Sequence, residues 1–328
     1  MTSYDILRQE TSALSSDGHS WLRVVVWLPP EDYTCRGVVQ LLHGMAEHID
    51  RYDAFARYLA DVGYAVFGHD HIGHGKSVAD ASELGALPLH GGKDILVGDV
   101  RAARKAAFGV TGDVSDLPLF LFGHSMGSYV ARVFVARHGA GLTGAVFCGT
   151  GTVSRPAALA GRTLARVIGA VRGEGYRSRL VDSLVQGPFR SAIDDARTDF
   201  DWLSTNPAVV DAYLADPLCG EMFTVGGYAT LTDVAAEACR PASAAAVPSD
   251  LPLLFVSGDE DPVGDNGAGV RAAAQGYEEA GSRDVECVLY PGMRHEILNE
   301  PGHLAVFSDV EEWLTKQVIR TDVARAQE

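Results

Sequence analysis

The sequence predicts an α/β protein in which helices flank a mostly parallel central sheet. Short apolar runs, such as residues 38–42 and 145–148, are continuous rather than alternating, which is typical of strands buried on both faces. Helix-period patterns separate these runs, as crossovers between parallel strands require. The succession of strand and helix patterns along the chain stops after residue 150 and resumes near residue 251. We therefore expect the segment between them to be an inserted helical cap.

The elements before the break follow in a regular order. Strands are predicted over residues 20–28, 38–42, 64–67, 119–122 and 145–148. Tyr52, Phe55 and Leu59 recur at helical spacing before Gly63, which predicts a helix between the second and third strands. A second helix is predicted from about residue 94 to 108, and a third after residue 125.

The elements after the break complete the sheet. Residues 151–247 show helical patterns without a strand, and an Ala/Pro/Ser-rich stretch from 240 to 250 is predicted to be a linker. Strands are then predicted over 251–256 and 285–290, with a helix over 270–280 between them and a closing helix around 307–318. The predicted organisation is a core of residues 1–150 and 248–328 with a cap at 151–247.

The run at residues 119–122 ends in Gly123-His124-Ser125-Met126-Gly127, and a helical pattern follows. Strand, sharp turn and helix are the context in which Gly-x-Ser-x-Gly forms a nucleophile elbow. The two glycines lack side chains where the strand must pack against the helix. Ser125 is therefore the candidate nucleophile, and a glycine-rich turn with an incidental serine is the alternative.

A serine nucleophile needs a base that takes its proton and an acid that orients the base. On this kind of sheet the acid and then the histidine follow the serine along the chain. Four carboxylates follow the strand at 251–256, namely Asp259, Glu260, Asp261 and, further away, Asp265. We favour Asp261 because Pro262 fixes the backbone after it, and Asp259 is its rival. His295, after the last strand, is the candidate base; a structural role capping the next helix is its alternative.

Two backbone amides are predicted to face the negative charge that develops during the reaction. The N–H of Met126 begins the helix after Ser125. The N–H of Met45 follows the strand at 38–42, where Gly44 allows close approach of the backbone. The nearby side chains of His43, Glu47 and His48 are expected to shape this loop rather than to react.

The histidines His69, His71 and His74 provide a rival, metal-dependent interpretation. Imidazoles at this density could bind zinc. However, Gly73 replaces the acid of the metallo-hydrolase pattern, and no second histidine cluster follows. A tight glycine turn is the favoured interpretation.

Composition limits the partners and the compartment. A formal net charge of −16 disfavours nucleic acid and anionic membrane surfaces as partners. No apolar stretch reaches membrane-spanning length, and residues 1–5 lack the basic start of a signal peptide. The five cysteines are scattered without a CxxC pair. We therefore expect a cytoplasmic protein without disulfides.

The motifs together resemble the α/β-hydrolase fold and, within it, the monoacylglycerol lipase and lysophospholipase-like group. The resemblance rests on residues 43–48, 68–77, 123–127, 258–264 and 295–300, and on cap residues 200–204 and 216–220. It implies Ser125 as nucleophile, Asp261 as acid and His295 as base, with the amides of Met45 and Met126 as oxyanion donors. It also implies that no metal or organic cofactor is used.

The expected activity is hydrolysis of a carboxylic ester through an acyl-enzyme. The resemblance implies a lipid ester substrate, either a monoacylglycerol or a lysophospholipid, with transient contact with lipid aggregates. The oligomeric state is left open. A serine aminopeptidase on the same fold is the alternative, which would need a cap carboxylate for the substrate amine; Glu221, Asp194 and Asp195 are the candidates. A non-catalytic binding protein on this fold would usually lack one of the three catalytic residue types.

Overall fold

Eight strands form the central sheet of the computed structural model, which describes residues 6–30, 33–112, 114 and 116–325. The strands are β1 (Leu7–Leu14), β2 (Trp21–Leu28), β3 (Gly37–Leu42), β4 (Tyr64–His69), β5 (Leu119–His124), β6 (Gly144–Cys148), β7 (Leu253–Gly258) and β8 (Val285–Tyr290). Their spatial order is β1-β2-β4-β3-β5-β6-β7-β8. The first two pairings are antiparallel, and all later ones are parallel. Residues 1–5, on which the signal-peptide expectation depends, lie outside the described residues.

Ten α-helices accompany the sheet in the described part of the chain. They are α1 (Asp53–Asp61), α2 (Gly92–Thr111), α3 (Met126–His138), α4 (Arg155–Arg172), α5 (Arg179–Arg190), α6 (Pro207–Ala215), α7 (Val225–Ala238), α8 (Pro241–Ala245), α9 (Ala268–Glu279) and α10 (His303–Arg325). No helix in these residues is both long enough and apolar enough to cross a membrane.

Two hydrophobic cores lie on opposite faces of the sheet. Val38 of β3 belongs to the core that includes residues of α2, α3 and α9, whereas the adjacent Val39 belongs to the core with α1 and α10. Successive side chains of a strand point to opposite faces, so burial on both faces explains the continuous apolar runs. The predicted α/β class with a mostly parallel sheet is confirmed.

Two elements differ from the prediction. Strand β1 was not predicted, because its residues are polar or half-exposed and it lies at the edge of the sheet. The stretch predicted as a linker contains the short helix α8, which begins at Pro241 and continues through alanines. Proline at the first helical position and alanine after it both favour a helix.

Residues 151–247 contain helices α4 to α8 and no strand. One side chain, the buried Arg132 of α3, holds this segment at two places. Its guanidinium donates hydrogen bonds to the carbonyl oxygens of Gly151, at 2.8 Å, and Ala238, at 3.1 Å. The start of the segment and the end of α7 are therefore attached to the helix that follows Ser125.

Candidate active site

Ser125 occupies the sharp turn between β5 and α3. Its φ of 52° and ψ of −120° place a non-glycine residue in a strained part of the left-handed region. A Cβ at Gly123 would overlap Gly127, and a Cβ at Gly127 would overlap the carbonyl oxygen of Leu42. Only glycine therefore fits at the two positions that flank the serine, as expected for a nucleophile elbow.

His295 and Asp261 lie together, although 33 residues separate them along the chain. The Nδ1 atom of His295 is 2.9 Å from Oδ2 of Asp261, and both side chains are buried. Ser257 and the amide of Val263 also donate to the Asp261 carboxylate, at 3.1 and 2.9 Å. Burial acts to raise the pKa of Asp261, but His295 and these hydrogen bonds outweigh it and hold that pKa below its usual value. The carboxylate therefore stays ionised beside the imidazole.

The rival carboxylates do not reach His295. Asp259 instead accepts a hydrogen bond from the amide of Gly292, at 2.7 Å, while Glu260 and Asp265 are exposed. The alternative role of His295 as a cap of the next helix does not fit either, because that helix begins at His303.

Ser125 and His295 line the same cavity, which has a volume of about 650 Å³. Among the described residues, no hydrogen bond joins the Ser125 hydroxyl to the His295 ring. The rings of His124 and Trp202 flank His295, with centroids 4.7 and 5.1 Å away. Catalytic hydrogen bonds are often long in the absence of substrate and tighten when it binds.

The loop after β3 passes close to Ser125, and Met45 of this loop lines the cavity. A Cβ on Gly44 would lie 2.6 Å from the Glu47 carboxylate and 3.1 Å from Cβ of Ser125, so a side chain here would have to displace the Glu47 carboxylate that the Gly44 amide binds. Neither the amide of Met45 nor that of Met126 has a hydrogen-bond acceptor within the described part of the chain. Both are thus available to an acceptor on a substrate.

Glu47 fixes the shape of this loop, as expected from the sequence. Its Oε1 accepts hydrogen bonds from the amide of Gly44, at 2.5 Å, and from the hydroxyl of Tyr52, at 2.8 Å. Burial acts to raise the pKa of Glu47, but His124 and Arg51 outweigh it and lower that pKa well below the usual value. The same pairing raises the pKa of His124 against its own burial, so the two form a buried ion pair.

The histidines of the rival metal interpretation are buried behind this loop. The amide of His71 donates to Nε2 of His43, at 2.9 Å, and Nε2 of His71 lies 3.2 Å from the His43 carbonyl oxygen. The nitrogen atoms of His69, His71 and His74 do not converge. In the described ranges, the one trio whose possible ligand atoms lie within 4.8 Å of one another is His48, Asp216 and Cys219.

Two side chains without a predicted role connect the His295 loop to the segment between α5 and α6. Trp202 of that segment contacts the ring of His295. Glu300 is buried and accepts hydrogen bonds from Ser204 and Thr205 of the segment, and from the amide of Arg294 within its own loop. The contacts between the segment and the loop join positions more than ninety residues apart, so no local pattern marks them.

Apolar side chains make up most of the cavity wall. They come from α4, α5, α7 and the turns near them, and include Val153, Leu164, Leu184, Val185, Phe189 and Leu231. Of the three cap carboxylates considered for binding an amine, Glu221 lines the cavity, whereas Asp194 and Asp195 are exposed and do not. The site thus combines a hydroxyl, an imidazole–carboxylate pair and a largely apolar chamber.

Comparison with known proteins places this arrangement in a family. Residues 34–302 match the Hydrolase_4 family, described as serine aminopeptidase, S33. A monoacylglycerol lipase of Mycolicibacterium smegmatis is 32% identical over 92% of this chain and 96% of its own length. Human monoglyceride lipase is 26% identical over 95% of this chain and 92% of its own. A thermostable carboxyl esterase from Bacillus coagulans, solved in complex with glycerol, superposes with a TM-score of 0.87 at 29% identity, covering 95% of this chain and 99% of the esterase. The chain belongs to the Hydrolase_4 family and has the α/β-hydrolase fold.

Proposed function

We propose that this protein is a serine hydrolase that cleaves carboxylic esters, with a monoacylglycerol or lysophospholipid as substrate. The observation that carries the proposal is the position of His295, which is paired with the buried Asp261 and lines one apolar cavity with Ser125. Ser125 itself lies at a strained elbow. The names of the relatives support the ester chemistry, because two of them are monoacylglycerol lipases that this chain matches over nearly its whole length. The glycerol bound by the related esterase supports a glycerol ester.

The proposed mechanism assigns one task to each group. His295 takes the proton of the Ser125 hydroxyl as its oxygen attacks the ester carbon, and Asp261 holds the imidazole in orientation. The amides of Met45 and Met126 donate hydrogen bonds to the resulting oxyanion. In enzymes of this kind, the loss of one such donor typically lowers the reaction rate by a factor of about 10² to 10³. The imidazolium returns the proton to the leaving alcohol, and water then releases the acid from the acyl-enzyme.

Residues 151–247 form the proposed cap, whose apolar wall would take the acyl chain. Contact with lipid aggregates is also proposed for this segment, because α4 and α5 expose large apolar side chains. These are Leu159, Val167, Val171, Leu180 and Leu184, each more than half exposed. Free thiols at all five cysteines support the proposed cytoplasmic location.

The test is turnover of monolaurin by wild type and Ser125→Ala, with Ser191→Ala as the matched control at an exposed position off the cavity. We expect Ser125→Ala to lose turnover and labelling by a fluorophosphonate, and to keep the thermal unfolding midpoint of wild type. Retained turnover in Ser125→Ala would overturn the proposal.

A serine aminopeptidase is the second candidate, favoured by the description of the family and by Glu221, which lines the cavity. Faster turnover of an aminoacyl p-nitroanilide than of monolaurin would establish the aminopeptidase in place of the esterase.

A metal-dependent hydrolase would lose activity with a chelator and would not react with a fluorophosphonate.

A further inference from the structure

Three potential metal ligands meet outside the cavity, where the loop after β3 contacts the segment between α6 and α7. They are an imidazole, a carboxylate and a thiol, which belong to His48, Asp216 and Cys219. Their possible ligand atoms all lie within 4.8 Å of one another. None of the three residues lines the cavity that contains Ser125. The cluster is therefore separate from the proposed catalytic groups.

The ligand types and the spacing of this cluster suit a zinc ion. Asp216 and Cys219 are three positions apart in one turn, in which the Cys219 amide donates to the Asp216 carbonyl oxygen, at 3.1 Å. His48 reaches them from a distant part of the chain, with its Nε2 atom 2.9 Å from Oδ2 of Asp216. Nitrogen, oxygen and sulfur ligands of one tetrahedral zinc ion lie about 3 to 4 Å from one another. Side-chain movements of about 1 Å would therefore bring all three onto one ion.

A carboxylate behind His48 is the second feature that points to a metal. The Nδ1 atom of His48 is buried and has no hydrogen-bond partner in the described part of the chain. The Oδ2 atom of Asp50 lies 4.0 Å from this Nδ1 and 3.9 Å from the exposed amine of Lys76, whereas Oδ1 is bound by two arginines. Metal-binding histidines usually donate their other ring N–H to a carboxylate. His48 could donate to Asp50 in this way once its proton lay on Nδ1 and Nε2 bound the ion.

The surroundings of the cluster also suit a cation. Asp216 pairs with no lysine or arginine among the described residues, and its one ionic partner there is His48. Arg51 is the cation that acts most strongly on the Cys219 thiol. Its guanidinium is already bound by the carboxylates of Glu296, at 2.5 Å, and Glu47, at 2.9 Å. Asp216 and Cys219 are both partly exposed, so an ion could enter from the solvent.

We propose that His48, Asp216 and Cys219 form a zinc-binding site. Binding would release the thiol proton to the solvent, so that an imidazole, a carboxylate and a thiolate bind the ion and a water molecule completes the tetrahedron. The ion would take no part in ester hydrolysis, because its ligands lie off the cavity. The proposal does not depend on the function proposed for Ser125.

The location of the site gives the bound ion a structural effect. The loop after β3 and the segment that follows α6 are already joined at the carbonyl oxygen of Ala46. The amide of Gly220 donates to this oxygen, at 3.0 Å, and so does the hydroxyl of Tyr213, at 2.9 Å. A metal bridge from His48 to Cys219 would add a further link between the same two parts of the chain. Zinc should therefore stabilise the folded protein.

The experiment titrates Co²⁺ and then Zn²⁺ into reduced protein from which metals have been removed with a chelator. Co²⁺ is used because its absorption spectrum distinguishes tetrahedral from octahedral binding and shows a separate band when a thiolate is bound. The proteins are wild type, Cys219→Ser, Asp216→Asn and Ser125→Ala. The matched control is Cys287→Ser, at the exposed cysteine. The thermal unfolding midpoint of each protein is measured with and without zinc.

We expect wild type to bind one equivalent of Co²⁺ with a tetrahedral spectrum and a thiolate band, both of which zinc abolishes. Cys219→Ser should lack the thiolate band, and Cys219→Ser and Asp216→Asn should each bind zinc at least about tenfold more weakly. Zinc at a hundred times its dissociation constant should raise the midpoint of wild type by about 4 °C. Cys287→Ser and Ser125→Ala should behave as wild type in both measurements.

A thiolate band that persists in Cys219→Ser would overturn the proposal, and so would an octahedral spectrum without that band in wild type. Loss of the thiolate band in Cys287→Ser would assign the metal to the exposed cysteine and would also overturn it. If removal of zinc abolished ester turnover, the ion would belong to the reaction and the structural role would be wrong. Turnover that persists in Ser125→Ala would contradict the proposed function alone, so the two failures are distinguishable.

Discussion

His69 allows a direct test of how burial controls protonation behind the site. It lies at the end of β4, is fully buried, and neither of its ring nitrogens has a hydrogen-bond partner. Burial lowers the pKa of His69 from 6.5 to about 4. As the pH falls, the unfolded chain takes up a proton before the folded protein does. The stability that His69 contributes is therefore complete above pH 6.5 and is lost as the pH falls toward 4.

The perturbation is His69→Leu, which removes the titrating group while keeping a similar side-chain volume. Relative to this variant, wild type should lose about 2 kcal/mol of unfolding free energy between pH 7 and pH 5, and about 3 kcal/mol by pH 4. These magnitudes follow from a pKa of 6.5 in the unfolded chain and of about 4 in the folded protein, because each tenfold difference in proton affinity corresponds to about 1.4 kcal/mol. Substituting His69 leaves no former hydrogen-bond partner unsatisfied, because it has none.

Urea unfolding followed by circular dichroism across this pH range measures the difference. A change in packing caused by the substitution alters the unfolding free energy by the same amount at every pH. Only the pH dependence of the difference in unfolding free energy between wild type and His69→Leu is therefore interpreted. The substitution His90→Leu, at an exposed position, is the control for a new leucine. A difference between wild type and His69→Leu that stays constant from pH 7 to pH 4 would refute the reasoning.

Three further predictions concern the site and its supports. Asp261→Asn should lower kcat for a p-nitrophenyl ester about 10⁴-fold without loss of fold, and a decrease below tenfold would contradict its orienting role. Gly127→Ala should destabilise the protein by about 3 kcal/mol or more in urea unfolding, because its Cβ would overlap the backbone of β3. Gly175→Ala, with nothing within 4 Å of its Cβ, is the matched control and should change stability little. Glu300→Gln should cost about 2 kcal/mol of unfolding free energy and lower kcat more than it raises KM, since it loosens the loop that carries the proposed base His295; an unchanged kcat would count against this.

The elements that carry the site were predictable because their signals are local. The strand before Ser125 is a continuous apolar run, and its glycines are required by contacts within a few residues or with the next strand. Strand β1 lacks such a signal. All but one of its side chains are exposed or half-buried, and it is held in place by pairing with β2, such as Leu7 opposite Leu28. That pairing depends on tertiary structure rather than on local propensity.

In the candidate site, too, some features were predictable from the sequence and others were not. Chain order and the loops after β7 and β8 were enough to indicate Asp261 and His295, and the structure brings those two side chains to 2.9 Å. The loop-shaping role of Glu47 was predictable, but the partners of the supporting side chains were not. Glu47 pairs with His124 across 77 residues, and Glu300 bonds to Ser204 across 96 residues. Such pairings depend on the tertiary structure, and no local pattern in the sequence indicates them.

The attachment of Gly151 and Ala238 to Arg132 has a consequence for how this architecture can diversify. Gly151 begins the segment and Ala238 ends α7, so one guanidinium holds the chain on both sides of the stretch from α4 to α7. Val225 and Tyr228 of α7 also belong to the core on the α3 face of the sheet. A change of length confined to α4 and α5 would therefore keep both the arginine anchor and this shared core, and would alter the chamber above an unchanged reaction centre.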